Sequence, residues 1–79
     1  MSNINELNLY LVTDGEATEA TPETEWDGET SVLVASTSPE NALNAAKAYD
    51  DGLIGFDTIM WCGEPLGVVA LRDEVGNII

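Results

Sequence analysis

From Glu6 to Thr13 the chain reads ELNLYLVT, with Leu7, Leu9 and Leu11 on one side of an extended backbone and Asn8, Tyr10 and Val12 on the other. Period-two alternation of this kind predicts a strand with one fully apolar face and one mixed face. Asp14 and Gly15 end it with two turn-forming residues. The stretch from Glu16 to Thr24 is polar and contains Pro22, which predicts an exposed loop or a long, ragged hairpin connection. TSVLVAST, residues 30–37, returns to β-branched apolar character and predicts the second strand.

The period then changes. In TSPENALNAAKAYDDG, Ser38 is a good N-cap, and Pro39 stands at the first helical position, where its missing N–H leaves nothing unsatisfied. Glu40 follows in the first turn, at the positive end of the helix dipole. Ala42, Ala46, Tyr49 and Leu53 recur at three-and-four spacing, with Leu43 beside them. The helix should end at Asp50 or Asp51, with Gly52 as a left-handed cap. Its small alanines permit close approach to a sheet.

Beyond the helix, FDTIMWC (56–62) predicts a third strand, GEPLG a turn, VVALRD (68–73) a fourth strand, EVGN a further turn, and the final Ile78-Ile79 a short edge pairing. The expected fold is a single α+β domain over residues 1–79, β-β-α-β-β, with about four antiparallel strands and an exposed acidic loop at about 14–29. One helix covers one face of such a sheet. The other face should then show Tyr10, Val12 and, depending on register, Val68 and Ala70. An exposed mixed face of this kind is either an interface or a solvated surface with scattered apolar residues.

Composition sharpens the picture. The 79 residues carry 15 Asp plus Glu against 2 Lys plus Arg, a formal net charge of −13, yet 44% of them are hydrophobic. That apolar share argues against a disordered chain. So strong a charge disfavours contact with nucleic acid or an anionic membrane and favours a basic partner. A domain this small has a marginal core, which makes a homodimer or a partner complex a natural source of further burial. A single cysteine, Cys62, excludes an intrachain disulfide and fits a reducing, cytoplasmic compartment. MSNINELNLYLV has no basic n-region, and no apolar run approaches the length of a span. Neither a signal peptide nor a membrane helix is expected.

Catalysis has little to work with. The chain has no histidine, the usual base for a nucleophile and the commonest transition-metal ligand. DGLIGFD lacks the strand-turn-helix setting and the lysine of a phosphate loop. Cys62 has no resolving partner and no neighbouring cation in sequence, so a small buried hydrophobe is its expected role. No catalytic residue, cofactor or dedicated metal ligand is expected. Calcium remains an alternative because DGEATEATPETEWDGE is rich in hard oxygens, although the offsets of an EF-hand loop are absent.

That same stretch, Asp14 to Glu29, concentrates seven carboxylates without a cation. Within ETEWDGE, Glu23, Glu25, Asp27 and Glu29 recur at every second residue. An extended backbone would align them on one side, about 6.7 Å apart, and turn Trp26 inward as an anchor. Such a row offers a basic nucleic-acid-binding groove an alternative to phosphates. The plain alternative is a loop that only keeps the chain soluble. The layout LNLYLVTDG … SVLVASTSPENALNAA … EPLGVVAL resembles small acidic accessory proteins of phages and mobile elements, of the anti-CRISPR and anti-restriction type. That resemblance implies an inhibitor in the host cytoplasm that occupies the nucleic-acid-binding surface of a defence complex or nuclease. By residue type, Glu23, Glu25, Trp26, Asp27 and Glu29 are the positions such a role would use. A small structural or assembly protein that binds through its open sheet face is the alternative from a different class.

Overall fold

The computed structural model describes residues 7–79; Glu6, at the start of the expected first strand, lies outside them. The elements are β1 (Asn8–Thr13), β2 (Glu16–Glu19), β3 (Ser31–Ser36), α1 (Pro39–Asp50), β4 (Phe56–Trp61) and β5 (Glu64–Val69). They form one five-stranded sheet in the order β2-β1-β3-β5-β4, with the helix packed on one face. The fold is α+β, as the sequence predicts, with an additional strand and a mixed rather than purely antiparallel sheet.

The extra strand comes from the polar stretch after Gly15. Asp14 and Gly15 both take positive φ (52° and 76°), the geometry of a two-residue type I′ hairpin turn, and Thr13 pairs with Glu16 across it. The turn alone sets this register. β2 has only half-buried Ala17 to mark it as a strand, and its other residues are exposed.

A second turn of the same kind corrects the other end of the chain. Cys62 (φ 52°) and Gly63 (φ 84°) reverse the backbone directly after β4, so GEPLG is largely strand and β5 begins at Glu64 rather than Val68. Pro65 is tolerated there. It sits opposite Met60 in a pair that makes no ladder bonds, and β3 pairs with β5 only at Val34–Val69. Cys62 is exposed at the tip of this hairpin and not a buried hydrophobe, because a turn position with positive φ projects its side chain away from the sheet.

β3 and β5 run parallel, and the passage through α1 and β4 supplies the crossover that a parallel pair requires. The helix is Pro39–Asp50, as expected. The Asn41 N–H donates to Ser38 Oγ at 3.1 Å. At the other end Gly52 (φ 79°) completes a Schellman motif, its N–H donating to Tyr49 O and that of Leu53 to Ala48 O.

The sheet buries both faces. On the helix side Tyr10, Val12, Val32, Val34 and Val69 pack against Ala42 and Ala45, alanines small enough to let the helix lie close. On the other side Leu9, Leu33, Ala35, Ile59 and Val68 form a second cluster, covered in part by Trp26, Trp61, Leu66 and Ile78. The expected open face bearing Tyr10, Val12, Val68 and Ala70 is therefore absent: all four are buried. β1 has apolar residues on both sides, so alternation alone does not decide which side meets the helix. The tail past β5 closes the fold, with Arg72 bridging to Ile78 and the buried Ser36 hydroxyl donating to Ile79 O at 2.8 Å.

Candidate protein-binding surface

The chain leaves edge strand β2 at Glu19 and enters the sheet's centre at Ser31. The intervening segment is irregular but closely tied down. It starts with the Ala20 N–H donating to Leu9 O at 3.0 Å, and a tight turn follows in which the Thr24 N–H donates to Thr21 O at 3.0 Å. Burial then alternates: Thr24, Trp26 and Gly28 are half-buried, whereas Glu23, Glu25, Asp27 and Glu29 are exposed.

Trp26 turns inward. Its ring meets Phe56 edge-on at 5.1 Å between centroids, and Phe56 stacks on Tyr49 at 4.8 Å. The Tyr49 hydroxyl donates to Gly28 O at 3.0 Å, which ties the helix to the loop. Gly28 permits this crowding. Its φ is 83°, and a Cβ there would stand 3.3 Å from the Phe56 ring. The helix, β4 and the acidic segment thus meet around one residue without a side chain.

Asp27 is also engaged. Its Oδ1 accepts the N–H groups of Glu29 (2.7 Å), Thr30 (2.8 Å) and Ser31 (3.1 Å), and its Oδ2 accepts the Thr30 hydroxyl at 2.6 Å. The Thr30 hydroxyl, followed by the three backbone donors, holds the Asp27 carboxyl far below the usual aspartate range. The bend that Asp27 organises over residues 28–30, and the turn at Pro22–Glu23, break the straight spacing expected for the four carboxylates. They remain on the outside of the segment but do not lie on one strand.

Glu29 stands at the edge of a cleft of about 400 Å³ between the β1–β2 turn and α1, with Asp14 and Asp50 also lining it. Glu23 lines a second depression, beside Trp61, Cys62 and Glu64. Internal neutralisation is slight. Lys47 pairs with Asp51 at 3.6 Å on the helix surface, and Arg72 pairs with Asp57 at 3.0 Å. These are the chain's two cations. Among the described residues no three Asp, Glu or Cys side chains converge as a metal site would need.

Two features of this surface escape a reading of the sequence. One is the role of Asp27 as the loop's internal acceptor, signalled only by the Asp-Gly-x-Thr-Ser run that suits a side-chain-capped turn. The other is the exposure of three large apolar side chains at β4, Leu53 shortly before the strand and Phe56 and Met60 on it. Compared with family models, with curated proteins and with solved structures, the chain matches none of them.

Proposed function

We propose that this chain is an acidic protein-binding inhibitor that occupies a basic, nucleic-acid-binding surface on a host defence complex or nuclease. Its partner is a protein; nucleic acid and membrane are repelled by the same charge. The observation that carries this reading is the fixed shape of the 20–31 segment. Trp26 and Asp27 hold it against the domain while Glu23, Glu25 and Glu29 face outward. A segment already ordered before binding loses less conformational entropy on association than a flexible acidic tail. A net −13 also steers a basic surface toward it over a distance set by ionic strength.

The test begins with recovery of the partner from the natural host, followed by measurement of that partner's nucleic-acid affinity with and without this protein. Competition is expected, and it weakens steeply with salt. Reversing Glu23, Glu25 and Glu29 together to Lys should abolish competition while the fold survives; Asp27 is left in place because the loop depends on it. Trp26→Ala should weaken binding and stability together. If the triple reversal competes as well as the parent at low ionic strength, the segment is not the contact surface.

The exposed Leu53, Phe56 and Met60 favour a second reading, an assembly protein that binds through these apolar side chains and uses its charge only for solubility. In that case the recovered partner still binds its nucleic acid normally in the complex.

A further inference from the structure

The sheet ends on one side with β4, whose outer edge has no neighbour among the described residues. Which of its backbone groups are free follows from the hairpin. A two-residue turn at Cys62-Gly63 makes Trp61 and Glu64 a hydrogen-bonded pair, and the pattern alternates from there. Ile59–Leu66 and Asp57–Val68 are then bonded as well, and Met60–Pro65 is not, in keeping with proline's missing N–H. The N–H and C=O groups of Phe56, Thr58 and Met60 therefore point outward.

The side chains of those same three residues share the helix-side face. Phe56 is 52% exposed and Met60 68% exposed, so outward backbone and apolar side chains coincide. The opposite edge, β2, is different: it is four residues long and carries Glu16 and Glu19. A short, charged edge resists strand addition, whereas a longer apolar one invites it.

Charge selects the occupant. Between Gly52 and Gly63 the only charged residue is Asp57, and Arg72 already holds it at 3.0 Å. On a protein with net charge −13, this stretch of surface offers a second copy little direct repulsion. We infer that β4 pairs antiparallel with β4 of a second copy about a two-fold axis through Thr58, giving a continuous ten-stranded sheet. The axis stands perpendicular to the sheet, so the helices of both copies lie on the same side. In this register Phe56 of each copy faces Met60 of the other, covering both exposed side chains with an aromatic–thioether contact. A register centred on Ile59 would set Phe56 opposite Cys62 and leave that contact unmade. In the single copy, Asp57 Oδ1 accepts the Thr58 N–H at 2.8 Å. In the pair the copy's Thr58 carbonyl takes over that donor, and each Asp57 keeps its own arginine. This inference does not depend on the proposed inhibitory function.

Sedimentation equilibrium from micromolar to millimolar protein, at low and high salt, tests the association. The mass is expected to climb toward twice that of the protomer, and further at high salt, where repulsion is screened. Amide exchange locates the contact: Thr58 and Met60 should become protected as the dimer forms, whereas Ile59 and Trp61 are protected already. Met60→Glu, at an exposed position that the fold tolerates, should weaken association roughly tenfold or more by forcing a charge into the contact. A monomer at millimolar concentration in high salt would overturn the inference. So would a dimer in which the Thr58 and Met60 amides still exchange fast, or a Met60→Glu variant that associates as tightly as the parent.

Discussion

Asp27 shows how one side chain can serve the fold while sitting among outward-facing acids. Four donors converge on its carboxylate, three of them backbone N–H groups that the bend would otherwise leave to water. Its ionised form is favoured in the folded state, so its stabilising effect is fully present above the ordinary aspartate value of about 3.9 and fades as pH falls through the much lower folded value. Asp27→Asn is therefore expected to be less stable than the parent at pH 7, and the gap should narrow on acidification below pH 4. Urea midpoints at neutral and acidic pH measure this directly, and an unchanged gap would show that charge is not what Asp27 contributes. The same linkage holds for Asp57, whose carboxyl is lowered first by the Arg72 guanidinium and then by the Thr58 N–H. The sequence shows a row of alternating acids; it does not show which one spends its oxygens on its own loop, because that depends on the local backbone bend.

At the scale of elements, the two hairpin turns have unequal residues for one geometry. Type I′ turns need positive φ at both central positions and favour Asn-Gly or Asp-Gly. Asp14-Gly15 meets that demand, whereas Cys62-Gly63 places cysteine in a left-handed conformation that costs most side chains about 1–2 kcal/mol. Cys62→Asn should stabilise the domain by up to about 1 kcal/mol, read as a higher denaturant midpoint at unchanged slope; a loss of stability would mean that the thiol has contacts of its own. At this turn the local sequence pattern points away from the strand that forms. Gly63, Pro65 and Gly67 look like punctuation, yet the chain runs through the last two as a strand because Pro65 has no bonded partner and Gly67 faces Thr58 in an outer pair. The helix, by contrast, was legible almost residue by residue: Ser38, Pro39 and Gly52 each carry a local signal that needs no tertiary context. The parallel β3–β5 pairing carries none, since it is decided by where α1 and β4 return the chain.

The whole molecule holds a thin, two-sided core under a heavy negative charge. Domains of this length are stable by only a few kcal/mol, so self-repulsion is a substantial share of the balance. Moderate salt should raise the melting temperature, since each kcal/mol of relieved repulsion is worth about 4–8 °C at this size. Thermal melts with and without screening salt check it. A flat response would mean that the carboxylates lie too far apart to repel, which would weaken the case for a concentrated acidic surface.

The seam between β3 and β5 joins at a single register pair, Val34 with Val69, whereas β1–β3 and β4–β5 each pair along six positions. The sheet is two ribbons that share one short ladder, with the fully buried Val34, Val68 and Val69 and the Phe56–Tyr49 stack packed across it. At this joint side-chain packing, more than ladder hydrogen bonds, holds the two ribbons together. The Trp26–Phe56 contact reaches across that joint. The acidic segment, through Trp26, is therefore one of the ties between the two halves of the sheet.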